Sequence, residues 1–384
     1  MMNSNLLNLR QQRATRTLFF IAGLGMAAWA PLIPFAKAQL AINDGMLGLL
    51  LFCIAAGSMS VMPFTGALIA HFGCRTLLLL CGAGLALDLP LLMLLSSPLP
   101  MAGALLLFGA INGLMDVSMN YQAVIVEREA GVSKMSGFHG FYSLGSIAGA
   151  GAVSLLLWLQ VAPLLALLPL CVLILLLLLM SHTALLPRRR TDAKPTRGTL
   201  RALTHRNVVL IALLCFLLFL TEGAMLDWSA VFMNSERAMS MQLAGFSFTL
   251  YATAVATLRL FGDRLINHYG SRRVLTLGGL VASGGLALAI FSVWLWSALL
   301  GFVLVGIGLA NIVPILFNAA GNQRTVAAHY AIPAVTLCGY SGLLLGPALI
   351  GFSAQLTSLT TTLSAGIVML LLVTFAARFA LAAK

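Results

Sequence analysis

The chain has 384 residues, of which 60% are apolar and only 8% charged, too few charges to solvate a soluble protein of this length. A net charge of +12 and a pI near 10.1 invite a nucleic-acid partner, but no basic loop carries interleaved aromatics, and that class is set aside. The expected solvent, and first partner, is the lipid bilayer.

A helix rises 1.5 Å per residue, so about 20 apolar residues cross the hydrocarbon. Twelve stretches meet that length: one from about Leu18 to Ala36, and others starting near Met46, Thr76, Ala102, Phe138, Ala162, Asn207, Leu243, Val274, Ser297, Ala328 and Leu359. The fold class is an all-α membrane protein with twelve transmembrane helices. If the N-terminus is cytoplasmic, 19 of the 22 Lys and Arg face the cytoplasm, Lys37 and Arg237 face outward, and Arg259 lies in a helix. This is the positive-inside distribution, and it puts both termini in the cytoplasm. The arginines before the first span, with Ala36-Lys37-Ala38 after it, also look like a signal peptide. Cleavage would leave eleven spans and reverse the charge asymmetry, so the first span is read as retained. Cys53, Cys74, Cys81, Cys171, Cys215 and Cys338 have no metal or redox spacing and read as small core residues; no metal or cofactor is expected.

In chain order, Pro31 and Pro34 make the first span irregular and free backbone carbonyls that need partners or a wet cavity. Trp29 beside them is a candidate for the cavity wall, where its ring would stack on a sugar, or else an interior packing residue. Ionisable groups inside apolar helices cost at least about 2.5 kcal/mol each, which makes them functional candidates. Asp88, in the third span just before Leu89-Pro90, reads as structural or as paired with a group the sequence does not reveal, rather than as a binding residue. Asp116 is the strongest candidate. It lies roughly 22 Å into the fourth span, and Asn112, Asp116 and Asn120 share one helix face beside Tyr121. The bland alternative is an interhelical hydrogen-bond cluster that only holds the bundle together. In the fifth span His139 reads as a proton relay or a helix-end structural residue, with Tyr142 and Ser143 on neighbouring faces. Gly145-x-x-x-Gly149-x-Gly151 reads as close helix packing.

Glu222 lies roughly 22 Å into the seventh span, where a carboxyl that can gain and lose a proton suits a proton carrier. Asp227 is about 140° further around that helix and reads as a helix-end or gate residue, with Trp228 as interfacial belt or gate. Arg259 at the end of the eighth span reads as a snorkelling side chain ion-paired to Asp263. In the tenth span Asn311 and Asn318 flank Pro314 two turns apart on one face and join the cavity-wall candidates.

The basic segment Pro187–Arg206 divides the chain into an N-terminal bundle at 1–186, a cytoplasmic linker at 187–206 and a C-terminal bundle at 207–384. The loop after the second span of each half looks alike. One reads Gly66-Ala-Leu-Ile-Ala-His-Phe-Gly73-Cys-Arg75, the other Asp263-Arg-Leu-Ile-Asn-His-Tyr-Gly270-Ser-Arg-Arg273, and Gly73 and Gly270 are 197 positions apart. Repeated six-helix halves are a way to build a midplane transport site.

These loops resemble the G-x-L-a-D-r-x-G-r-k loop of the major facilitator superfamily, although Ala70 and Asn267 stand where that pattern has its acid and Asp263 replaces one glycine. Val126-Glu-Arg-Glu129, His139-Gly-Phe-Tyr-Ser-Leu-Gly145 and Glu222-Gly-x-x-x-Asp-Trp228 resemble bacterial inner-membrane transporters of the YbjJ type, near the fucose–proton symporters. The resemblance implies two six-helix bundles whose first, fourth, seventh and tenth helices line a central cavity. It sets Asp116 and its amides toward the substrate path and the third helix at the periphery. The function so implied is proton-coupled uptake of a small, sugar-like polar solute by a monomer in the bacterial inner membrane. Asp116 and Glu222 would be the proton-coupling acids, and Trp29, Asn112, Asp116, Asn120, Tyr142, Asn311 and Asn318 would bind substrate. A proton-antiport exporter and a non-transporting sensor are the alternatives. No G-x-S-x-G, H-E-x-x-H or G-x-x-x-x-G-K-[ST] occurs, which argues against an enzyme.

Overall fold

A computed structural model describes residues 2–130, 134–186, 203–322, 326 and 328–382. Among these residues, twelve helices are long and apolar enough to cross a membrane: α1 Leu9–Leu40, α2 Asp44–Phe72, α3 Cys74–Leu94, α4 Pro98–Ala130, α5 Gly137–Trp158, α6 Pro163–Ala184, α7 Arg206–Ser235, α8 Met241–Leu260, α9 Ser271–Phe291, α10 Leu295–Asn322, α11 Ala334–Leu356 and α12 Leu359–Phe379. Among the described residues there is no strand, as expected where backbone groups must be satisfied within each spanning segment. Most of the basic linker at 187–206 lies outside the described residues.

Proline sets the breaks. In α1 a 3₁₀ turn at Ala30–Leu32 interrupts the helix around Pro31, and in α2 another at Met62–Phe64 contains Pro63, since proline lacks the donor that a continuous helix needs. In α10 the helix stops at Leu309 and resumes at Ile312, just before Pro314.

The internal repeat extends to backbone geometry. The helix Thr65–Phe72 that ends α2 and the helix Gly262–Tyr269 that follows α8 both stop at a glycine, Gly73 at φ +84°, ψ 149° and Gly270 at φ +82°, ψ 147°. Each glycine N–H donates to a carbonyl four residues back, Ile69 at 2.8 Å and Ile266 at 2.9 Å. In each copy the histidine ring packs edge-on against the next aromatic, His71 on Phe72 and His268 on Tyr269, with centroids 4.5 Å apart. Only glycine takes this backbone conformation without strain.

By contact the chain forms two compact units. The first holds α1, α2 from Cys53 onward, α3 to α6, and the short stretch Met241–Gly245 at the start of α8. Here α1 lies tightly on α5, so that a Cβ at Gly145 or Gly149 would collide with the Phe20 or Leu24 carbonyl. Ser58 of α2 donates to the Gly109 carbonyl of α4 at 2.8 Å. The second unit holds the remainder of α8, α7, α9 to α12, and Asn43–Phe52 at the start of α2. In it α7 packs closely on α11, where Gly342 meets the Phe216 carbonyl, and α2 begins against α11, where Gly48 meets Gly351. Small residues of this kind let helix backbones approach where lipid offers no hydrophobic drive to associate.

Candidate functional site

In the first unit Asp116 stands 18 residues from the Pro98 end of its helix and 14 from the Ala130 end, or about 27 and 21 Å along the axis. It is partly buried. Asn120 Nδ2 donates to the Asp116 carbonyl at 2.9 Å and to its Oδ1 at 3.2 Å, and Asn112 Nδ2 donates to the Phe108 carbonyl at 2.8 Å. These amides therefore bond within α4, and among the described residues the interhelical cluster posed as their alternative gains no hydrogen bond from them. Tyr142 of α5 lies close enough to Asp116 to interact with its charge.

Two motif residues nearby have structural work. The Glu127 carboxylate accepts the backbone N–H groups of Lys134 and Met135 at 2.5 and 2.7 Å, capping the helix that begins at Met135. Free N–H groups and the positive helix end make that a favourable place for an anion. His139 is exposed, with its ring edge-on to Phe19 at 5.1 Å.

In the second unit Glu222 stands 16 residues from the start of α7 and 13 from its end, also near the middle. Its Oε1 is 4.0 Å from Nη2 of Arg259, with the two side chains 22% and 43% exposed. Arg259 Nε donates to the Ala310 carbonyl at 3.2 Å. Pro314, four residues on, has no N–H to offer that carbonyl, so the guanidinium fills the gap that proline leaves. Arg259 thus has Glu222 as a partner; the expected pairing with Asp263 falls on a side chain outside the described residues. Tyr251, buried on α8, interacts with both Glu222 and Arg259. One turn before Glu222, Phe219 stacks on Tyr340 of α11 at 5.7 Å and 15°, and meets Phe317 edge-on at 6.5 Å.

Three sequence expectations need correction, and one open choice is narrowed. Asn311 and Asn318 do not share a face: Asn311 is buried and Asn318 exposed, because the break at Ala310–Asn311 interrupts the helical period on which that reading relied. Asn311 sits against Gly262 and lines a cavity of about 210 Å³ with residues of α8, α9 and α10. Asn318 accepts from Asn322 at 2.9 Å. Asp227 is buried, and its helix continues eight residues to Ser235, so it is not a helix-end residue. Trp228 is wholly buried, which removes it from an interfacial belt. Trp29 is likewise 2% exposed and packs in the interior, the second of its two readings, rather than standing on an open wall.

Tyr251, Phe219 and Tyr340 join the site without having been singled out by sequence. Phe219 and Glu222 are three apart and Tyr251 and Arg259 eight apart, helical spacings that put each pair on one face. In a chain with 21 Phe and 6 Tyr that signal does not separate a cavity wall from a core.

A sequence profile described as Major Facilitator Superfamily matches residues 17–347. An uncharacterised transporter of that type from Yersinia pestis is 52% identical over 369 residues, covering 96% of this chain and 95% of the relative. The membrane protein MosC of Rhizobium meliloti is 32% identical over 343 residues, covering 89% and 83%. Among solved structures, the nucleoside transporter NupG superposes with a TM-score of 0.75 at 14% identity, covering 98% of this chain and 100% of that one. A bacterial homologue of the human lysosomal transporter Spinster, inward-facing and occupied, gives 0.70 at 14% identity, covering 99% and 97%. At such identities these structures speak for the fold.

Proposed function

We propose that this chain, which belongs to the Major Facilitator Superfamily and is therefore a multi-pass secondary transporter and not an enzyme, couples uptake of a small, sugar-like polar solute to protons. It is read as a monomer of the bacterial inner membrane with both termini cytoplasmic. One observation carries the coupling: each unit holds a carboxyl near the middle of a spanning helix, Asp116 in α4 and Glu222 in α7. Placing an acid there costs several kcal/mol unless it works with a proton or a partner. For Glu222 the partner is Arg259. Protonating Glu222 would release the guanidinium, and deprotonation would draw it back, so the proton and the pair exclude one another.

The solute reading rests on the amide and hydroxyl groups of Asn112, Asn120 and Tyr142 around Asp116, and on the Phe219–Tyr340 stack one turn from Glu222. Polar groups orient a hydroxylated solute, and an aromatic face accepts the apolar face of its ring. Purified protein in proteoliposomes, offered a panel of labelled sugars, polyols and nucleosides under an inward proton gradient, tests this. Accumulation that a protonophore abolishes supports the reading. Accumulation that needs sodium and survives the protonophore overturns the choice of ion.

A further inference from the structure

Among the buried side-chain atoms of the first unit that lack hydrogen-bond partners in the described residues are both carboxyl oxygens of Asp88 on α3 and the indole N–H of Trp29 on α1. Asp88 is 3% exposed and Trp29 2%. The packing of α1 on α3 sets these two orphans at one level. At one point Leu85 fills the space beside Gly25. Further along, Gln39 Nε2 donates to the carbonyls of Met93 at 3.2 Å and Leu95 at 2.8 Å. The helices run in the same sense between these points, and interpolation sets Trp29 level with about residue 88 of α3. The facing sides agree as well. Asp88 follows Leu85 by three residues and Trp29 follows Gly25 by four, each one turn on along the contact, and Trp29 is still helical at φ −72°, ψ −36°.

Among the described residues, no ionisable side chain on the elements packed against α3 lies level with Asp88. Between Leu18 and Ala36 α1 has none, and its next cation, Lys37, comes eight residues after Trp29, about 12 Å further along the helix. On α4, Ile111 lies beside Gly84, which sets Asp116 about nine residues, or roughly 13 Å, away along the antiparallel pair. From α6, which meets α3 where Leu178 packs on Gly82, the thiol of Cys171 comes nearest in level. His71, before Gly73, and Arg75 lie at the far end of α3, and Cys74 and Cys81 share its own helix. A lone ionised carboxylate cannot be held in such surroundings, whereas the neutral acid can.

We propose that Asp88 and Trp29 form a proton-binding site inside the first unit. The Asp88 carboxyl holds the proton in the arrangement seen here, and the Trp29 N–H becomes its hydrogen-bond donor when that proton has left for water. The flexible element is the 3₁₀ break that begins directly after Trp29, where a small rotation re-aims the indole without unwinding the helix. The site would give Asp88 the unseen partner that its sequence reading left open. It stands whether or not Asp116 and Glu222 couple transport, because it is read from proton binding alone.

Infrared difference spectroscopy of the purified full chain between acid and alkaline pH tests it. The wild type is expected to show a protonated-carboxyl band that vanishes at alkaline pH, is absent in Asp88→Asn, and persists in Asp116→Asn and Glu222→Gln. Trp29→Phe keeps the acid and removes the donor, so its band is expected to persist to higher pH than in the wild type. This second variant keeps the test intact if Asp88→Asn does not fold. A band unchanged by Asp88→Asn, or a titration unmoved by Trp29→Phe, would overturn the site.

Discussion

The guanidinium of Arg259 lies 4.0 Å from the carboxylate of Glu222, joining α8 to α7. Its Nε at the same time satisfies the Ala310 carbonyl, so one side chain serves both an acid and a proline-broken helix. Half-exposed pairs contribute little to stability by themselves. The carbonyl bond is worth about 1 kcal/mol. Arg259→Ala is therefore expected to lower the melting temperature of the purified protein by only a few degrees while abolishing uphill uptake. Arg259→Lys keeps a charge but loses the fork that reaches two partners, and an intermediate uptake rate is expected. Normal accumulation in Arg259→Ala would separate the pair from transport.

The acids themselves make a distinct prediction. An amide mimics a protonated carboxyl, so Asp116→Asn and Glu222→Gln are expected to lose accumulation against a gradient but retain exchange of substrate down its own gradient. Counterflow in proteoliposomes measures the second activity apart from the first. If both variants accumulate substrate normally, the two acids are structural.

Gly270 shows a backbone requirement in isolation, because a Cβ placed there meets nothing within 4 Å. Any loss in Gly270→Ala comes from its φ of +82° alone, at a cost of about 1 to 3 kcal/mol. The melting temperature is expected to fall accordingly, and the equivalent change at Gly73 to have a similar effect. An unchanged melting temperature in Gly270→Ala would mean that the helix end relaxes freely.

Gly149 is the opposite case, a glycine required by its neighbour. A Cβ there would run into the Leu24 carbonyl of α1, and backbone cannot yield as a side-chain tip can. Gly149→Val is expected to separate α1 from α5 and reduce the folded yield several-fold, more than the same change at Gly284, where nothing lies within 4 Å. Fluorescence-detected size exclusion compares the two directly.

Topology is tested at the linker. With 19 of 22 Lys and Arg assigned to one side, a single cysteine introduced at Thr196 is expected to resist membrane-impermeant reagents in intact cells and to react once the cells are opened. Labelling of intact cells would invert the orientation.

Much was decided by residue type alone. Twelve apolar runs separated by charges determine twelve spans, because bilayer thickness dictates the length of each and the cost of burying charge dictates the gaps. The repeat around Gly73 and Gly270 could be read as letters, and both copies adopt one backbone because only glycine tolerates it. For Asp116 and Glu222, counting along the helix gave a position near its middle, though it put Asp227 at a helix end that lies eight residues further on. It could not determine partners. Counting gave Arg259 no link to Glu222 or to the carbonyl freed by Pro314, and packing of α7, α8 and α10 supplied both. Periodicity put Asn311 and Asn318 on one face, but the break between Leu309 and Ile312 ended that period. Asp88 and Trp29, 59 positions apart, had nothing to connect them until α1 and α3 were packed. Position along a helix is a local property; which side chain meets another depends on how helices distant in sequence are brought together, and only the tertiary structure decides that.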